Sequence, residues 1–304
     1  MTEGPSVVIV THNSADVLTP CLRSIPAFAE VIIVDNASSD GWRSAVDRCR
    51  PETRTVSLDM NVGFGAACNR GARIASRSVV VFMNPDVVVM ADTLAHLTRR
   101  IEESSAPLIV GPEIQDQEGR RLYVCRRRSR LSHDIFNLLA LRRVPCRFQV
   151  YLPPRHPIYR RGGTVDSVQG ACLAVARARF LSINGFDERF FLYSEEEDLC
   201  ERFRRMGGAI VYDPAVAVQH RWGTSTMKIG AAAAFHFYRS RMILYSERYS
   251  RPRLIAGAAL MMISALIHVA SVPLRLIVRR PTPRRTAESV NAVLGIAAGL
   301  RVVL

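Results

Sequence analysis

Acidic residues are scarce in this chain: 27 Asp and Glu stand against 41 Lys and Arg, which gives a formal net charge of +14 and a pI near 10.2. So basic a balance implies an acidic partner, whether nucleic acid, an anionic membrane surface or a phosphorylated substrate. Aromatic residues make up only 7% of the chain, and the arginines are not interleaved with stacking rings, so no nucleic-acid module is expected. Seven scattered cysteines (Cys21, Cys49, Cys68, Cys125, Cys146, Cys172 and Cys200) include no Cys-x-x-Cys pair. Neither a zinc site nor a disulfide scaffold is indicated, and reduced thiols in a cytosolic setting are expected. Met1 to Ser6 is short and polar, so no secretory signal is expected either. The 304 residues, 48% hydrophobic and 22% charged, suffice for one large domain or a domain with an appendage.

Val7 to Val10 is an apolar run closed by Thr11-His12-Asn13-Ser14, and Ala15 to Ile25 has helical spacing. Val31 to Val34 repeats the pattern, ends on Asp35-Asn36-Ala37-Ser38-Ser39-Asp40-Gly41 and leads into a helix over Trp42 to Cys49. Two strand–helix units predict an α/β fold with a parallel sheet. A third apolar run, Val79 to Met83, stops on Asn84-Pro85-Asp86. Pro85 cannot continue the ladder and holds Asn84 extended, which puts Asp86 just beyond the strand's carboxyl end. Open α/β sheets bind ligands at that edge, and a carboxylate there can hold a hard divalent cation against a diphosphate. Thr11, Asn13, Asp35, Asn36 and Asp40 should gather on the same edge, although Asp and Asn after a strand serve equally as helix caps.

Asn61-Val-Gly63-Phe-Gly65 through Asn69-Arg-Gly71 opens a small-residue helix whose glycines let backbone approach a ligand and whose first N–H groups suit phosphate. The glycine spacing is incomplete for a dinucleotide fingerprint, so no Rossmann cofactor site is expected. Ala91 to Glu103 reads as an amphipathic helix and Leu108 to Pro112 as a strand. From Arg120 to Arg161 the chain is irregular and rich in arginine, suited to lipid headgroups, to a pyrophosphate, or to plain solvation. Val165 to Ala176 returns to strand character, with Gly170 able to admit a substrate close to the backbone.

Ser194 with Glu197 forms a capping-box pattern, which predicts a helix start there. On that helix Leu199, Cys200, Phe203 and Met206 share a stripe with Glu196, while Asp198 points away and pairs with Arg202 on the solvent face. An inward carboxylate suits a general base, although acids near a helix N-terminus are also stabilised by its dipole. Val216 to His220 reads as a last strand, and His220 can complete a metal site with Asp86. Leu254 to Leu274 lacks Lys, Arg, Asp and Glu and is bracketed by Arg251, Arg253, Arg275, Arg279 and Arg280. It is long enough to span a bilayer; a monotopic or hairpin contact, with Val290 to Leu304 as a second apolar piece, fits equally. The expected division is a domain over 1–226, with its basic insertion at about 120–161, and a membrane-associating helical segment over 227–304.

Taken in order, Val-Val-Ile-Val-Thr11-His-Asn13, Val34-Asp35-Asn36 through Asp40, Asn61 through Gly71, Asn84-Pro85-Asp86, and Gly185-Phe-Asp187-Glu188 through Cys200 resemble the motif series of family 2 glycosyltransferases, especially the rhamnosyltransferase-like branch. The resemblance covers Val7 to Thr226. It implies a GT-A fold, Rossmann-like, with a mostly parallel sheet flanked by helices. It also implies a nucleotide-diphospho-sugar donor (dTDP- or UDP-linked), Mn2+ or Mg2+, and inversion at the anomeric carbon of a hexose such as rhamnose. By motif position Thr11, Asn13, Asp35 and Asp40 would hold the nucleotide, with Asn36, Asn61, Gly63, Gly65, Asn69, Asn84 and Gly170 around the donor. Asp86 would hold metal and diphosphate, His220 would add a metal ligand, and Glu196 would deprotonate the acceptor, with Glu195 or Asp198 as alternates. Two departures stand out. Asn84 replaces the first acid of the usual Asp-x-Asp, and Glu195-Glu196 replaces the usual Glu-Asp pair, lengthening the base by one methylene. The basic arm and apolar tail point to a polyprenyl-diphosphate-linked or cell-envelope glycan acceptor at the cytoplasmic membrane face. The alternative from another class is a nucleotide- or polyanion-binding membrane protein without catalysis.

Overall fold

The computed structural model describes residues 3–138, 149–221, 230–270 and 283–304, and the chain forms two compact units. The first comprises Met1–Arg127, Tyr151–Glu188 and Glu196–Trp222; the second comprises Arg128–Val150, Arg189–Glu195 and Gly223–Leu304.

The first unit is built from β1 (Ser6–Thr11), α1 (Ala15–Ser24), β2 (Glu30–Asp35), α2 (Trp42–Cys49), β3 (Arg54–Ser57), α3 (Phe64–Ile74), β4 (Val79–Met83), β5 (Val87–Val89), α4 (Thr93–Glu102) and β6 (Leu108–Gln115). After the excursion into the second unit come α6 (Ile158–Arg161), β7 (Gly163–Thr164), β8 (Cys172–Ala176), α7 (Arg177–Ser182), α8 (Glu195–Arg205) and β9 (Ala209–His220). The described strands form one sheet in the order β3-β2-β1-β4-β8-β6-β9-β5, with β7 alongside β9. Val7 to Ile9 and Val79 to Met83 are buried throughout, as continuous apolar strands must be when layers cover both faces. Gly71 explains one close approach: a methyl there would overlap Val8, so the glycine lets α3 lie directly on β1.

The expectation of a mostly parallel sheet holds for only part of it. β3, β2, β1 and β4 are parallel, as are β6 and β9, but β8 runs antiparallel to both β4 and β6, and β5 and β7 run antiparallel to β9. A parallel pairing requires a crossover connection, which the helices between β1 and β4 and between β6 and β9 supply; β5, β7 and β8, being antiparallel to their neighbours, join without that constraint. The sheet is therefore mixed.

The second unit contains α5 (Leu131–Leu138), α9 (Ala232–Ser246), α10 (Arg251–Ala270) and α11 (Pro283–Val303) among its described residues. Tyr238, Met242, Tyr245, Leu254, Ala258, Met261, Ala292 and Ile296 form its core with Leu131. A fully buried carboxylate, Asp134, accepts the Tyr245 hydroxyl at 2.6 Å and lies 3.3 Å from Arg241 Nε, so its charge is both paired and hydrogen-bonded.

No helix among the described residues is long and apolar enough to cross a membrane; residues 271–274, the end of the apolar segment Leu254 to Leu274, lie outside the described residues. Helix α10 has two unlike faces. Leu254, Ala258, Met261 and Ala265 pack into the bundle, and Gly257 lets the helix approach Leu131, so this side is a protein interior.

Candidate active site

Parallel register brings the strand ends together. Thr11 pairs with Asp35 across β1 and β2, and Met83 of β4 pairs with Ile9, so Asn84 to Asp86 run on beyond the same edge. The Asn84 amide donates to the Ala171 carbonyl at 3.0 Å, which puts Gly170, one residue earlier, at that edge as well. β9 arrives from the other side: His220 pairs with Val87, and the Arg221 amide donates to the Asp86 carbonyl at 3.1 Å.

Asp86 and His220 are both buried, with His220 Nε2 3.1 Å from Asp86 Oδ1 and 3.5 Å from Asn84 Nδ2. A carboxylate oxygen suits the hard cations Mn2+ and Mg2+, and the imidazole nitrogen beside it favours the softer Mn2+ of the two. At that separation the two groups could share one ion. No group of three or more such ligands exists among the described residues, so phosphate oxygens and water would supply the remaining coordination.

The loops after β1 and β2 are tied to one another. Asp40 Oδ2 accepts the Ala15 amide at 2.8 Å and so caps α1 from a neighbouring loop, since Ser14 makes no side-chain cap bond. Asn13, held at φ +52°, accepts the Ser39 amide at 2.9 Å on Oδ1, and Asp35 Oδ1 accepts the Ser38 amide at 3.0 Å. Asn36 donates to Asn61 Oδ1 and the Gly63 carbonyl and accepts the Val62 amide, so it fixes the turn that leads into α3. Gly63 sits at φ +91°, which only glycine adopts readily, and Gly65 is buried in the first turn of α3. The Thr11 hydroxyl is buried and has no hydrogen-bond partner among the described residues.

Asn69 stands apart from this group. Its amide donates to the Phe186 carbonyl at 2.8 Å and to Glu188 at 3.1 Å, while its Oδ1 accepts the Phe186 amide at 2.9 Å. Asn69 clamps the Gly185-Phe186 turn, whose glycine is at φ +65°.

α8 carries the acids. It starts at Glu195, as the sequence pattern predicts, but Tyr193 and Ser194 before it lie at φ +68° and +67°, not in the extended conformation usual for a cap. Glu195, Glu196, Glu197 and Asp198 are all buried. Asp198 does pair with Arg202, at 2.7 Å, but not on a solvent face: Arg202 also donates to the carbonyls of Ile183 and Gly185, and that turn covers the pair. Met206 falls after the last helical residue and is exposed, so it does not join the buried stripe of Leu199, Cys200 and Phe203. Glu196 faces Gly170, where an added Cβ would meet its side chain at 3.6 Å, and its Oε1 accepts Arg126 Nη1 at 2.8 Å. Sequence reasoning did not single out Arg126. It is one arginine among many in the basic stretch, and no local pattern distinguishes it.

The described cysteines are free thiols, and burial pushes Cys125, Cys172 and Cys200 up to about 12, which removes them as nucleophiles at neutral pH.

Residues 6–161 match the profile of the family described as Glycosyl transferase family 2. An N-acetylglucosaminyl-diphospho-decaprenol L-rhamnosyltransferase of Mycobacterium tuberculosis is 29% identical over 277 residues, 82% of this chain and 86% of the relative. Rhamnosyltransferase WbbL of Escherichia coli is 26% identical over 70% of this chain and 82% of its own length. Among solved structures, a mannosyltransferase of Pyrobaculum calidifontis in complex with GDP-Man and Mn2+ superposes with a TM-score of 0.56 at 17% identity, covering 99% of this chain and 88% of that one. S. aureus TarS 1-349 in complex with UDP-GlcNAc gives 0.55 at 14% identity over 99% and 92%. These likenesses make the fold GT-A-like: a mixed sheet flanked by helices.

Proposed function

The chain belongs to glycosyl transferase family 2, and on that premise we propose that it transfers a hexose, rhamnose or a close analogue, from a UDP- or dTDP-linked donor to a hydroxyl of a lipid-linked saccharide, with inversion. The observation that carries this reading is the meeting of Asp86, His220 and Gly170 at one sheet edge, with Glu196 against Gly170. Thr11, Asn13 and Asp35 line the nucleotide end of that edge, with Asn36, Asp40 and Asn61 shaping its loops. Asp86 and His220 would hold a divalent cation, which would supply positive charge against the leaving diphosphate. Glu196 takes the proton of the acceptor hydroxyl as its oxygen bonds to the anomeric carbon and the bond from that carbon to the diphosphate oxygen breaks. The proton ends on the carboxylate, the electron pair leaves with the nucleoside diphosphate, and one base on the face opposite the leaving group suffices for inversion. A lipid-linked acceptor is suggested by the mycobacterial relative, whose name specifies a diphospho-decaprenol substrate.

Calorimetric titration with UDP and with dTDP, each with and without manganese, tests the donor side. Manganese-dependent binding of one of them is expected; no binding of either would favour the non-catalytic polyanion binder, a reading that Asn84 in place of an acid keeps in play.

The second unit supplies the membrane contact in this reading. α10 leaves Leu260, Ile263, Leu266 and Ile267 exposed on the side away from its buried stripe, and Arg251 and Arg253 are exposed at its start. An apolar face beginning in cations suits the surface of an anionic bilayer, with the helix lying in the interface. The full chain should float with vesicles containing phosphatidylglycerol, and I263E combined with I267E should abolish flotation. Undiminished flotation of that variant would move the contact to the basic stretch at 120–161.

A further inference from the structure

Resting on the reading of Glu196 as the base, we propose that Arg126 makes that base answer to the charge of the acceptor: its guanidinium is contested between Glu196 and a diphosphate ester that arrives with the acceptor. The ion pair is specific. Arg126 Nη1 lies 2.8 Å from Glu196 Oε1, and the two side chains are 16% and 8% exposed. The guanidinium stacks over the Tyr151 ring at 5.1 Å, and the main chain at 126 exchanges hydrogen bonds with Ser167, at 3.0 and 3.3 Å. The arginine is thus mounted on two elements, beside the carboxylate and still partly open to solvent.

A carboxylate oxygen that accepts a guanidinium N–H has that lone pair engaged, so the contact orients Glu196 and at the same time occupies one of its two oxygens. Phosphate is the stronger rival, because a diphosphate carries more charge and matches the arginine fork in two-point contact. Arg126 also opens the run Arg126-Arg127-Arg128-Ser129-Arg130, the densest positive charge in this part of the chain. An acceptor carrying its saccharide on a diphosphate brings the rival together with the hydroxyl to be deprotonated. A neutral sugar of the same structure brings the hydroxyl alone. Arg126 is accordingly a positioning residue that also selects for charge.

The test is a binding cycle on the full-length chain by calorimetry in EDTA, with geranyl diphosphate as the probe. Arg126→Met should weaken binding about tenfold or more, the usual scale for one charge-assisted contact. Arg126→Lys, which keeps the charge and loses the fork, should lie between, and it stands in if the methionine variant is poorly folded. Glu196→Gln should tighten binding by a similar factor, because a neutral amide competes less well for the guanidinium. In the double variant that gain should vanish, the mark of two residues acting through one another. Matching shifts with inorganic pyrophosphate would support recognition of the phosphates themselves and not of the prenyl chain. Unchanged affinity in Arg126→Met, or additive effects in the double variant, would overturn the proposal. A larger effect of Arg126→Met on UDP with manganese would overturn it too, by assigning the anion to the donor. Full transfer activity in Glu196→Gln would defeat the assignment of the base instead and leave the binding coupling intact.

Discussion

Glu196→Gln lowers turnover by about 10²- to 10⁴-fold, the span expected for loss of a general base, and leaves manganese-dependent nucleotide binding within a factor of about two. The substitution keeps shape and hydrogen-bonding reach while removing the site that accepts the proton. Both Glu196 and Asp198 pair with an arginine, and Glu196 is preferred to Asp198 because it lies against Gly170 at the edge that carries Asp86, whereas the Asp198–Arg202 pair sits under the Ile183–Gly185 turn. Single-turnover assays of purified variants would check this. If Glu196→Gln turns over like the wild type while Glu195→Gln is inactive, proton removal belongs to the first residue of the helix. A variant losing nucleotide affinity and turnover together would point to a donor contact, not a base.

Asp86→Ala produces the second large effect, and its sign depends on the metal. With manganese present, UDP affinity should fall about a hundredfold or more, since even residues that only support a metal ligand are commonly worth tenfold to a hundredfold in metal affinity. In EDTA the same variant should bind UDP as well as the wild type or better, because a buried carboxylate beside a diphosphate repels it when no cation intervenes. This crossing of signs separates a metal ligand from a residue that merely supports the loop, which would weaken binding in both conditions. His220→Ala should follow the manganese arm and show less change in EDTA, since an imidazole carries no negative charge to repel the nucleotide. Equal losses in both arms for Asp86→Ala would remove the metal from the account.

Much of this arrangement was legible in the sequence because it depends on local pattern. The helix over Trp42 to Cys49 has the predicted bounds, and Val-rich runs ended by polar residues placed Thr11, Asp35 and Asp86 on one edge through strand polarity alone. β3 escaped notice because Arg54–Ser57 offers Val56 as its only large apolar residue, and it lies at the sheet's end where nothing demands a continuous apolar run. The direction of β8 was hidden for a different reason: a strand's composition does not record which neighbour it will meet. Long-range partners account for the rest. The clamp from Asn69 reaches Phe186, 117 positions later, and Arg126 looks like any surface arginine until Glu196 arrives 70 positions on. The burial of Asp198 likewise depends on a turn from a separate segment.

The chain passes between its two compact units five times, and the second unit draws on residues 128–150 as well as on the C-terminal helices. During synthesis, then, α5 leaves the ribosome long before anything it packs against. Asp134 waits 111 residues for the Tyr245 hydroxyl, and Leu131 waits longer still for Leu254 and Ala258. Contacts so distant in sequence close slowly and leave apolar surface open in the interval, which favours aggregation of nascent or prematurely ended chains. A chain cut after residue 226 would take the Tyr245 and Arg241 contacts from Asp134 and uncover a leucine in its middle. Its solubility, and not only its lipid affinity, would change.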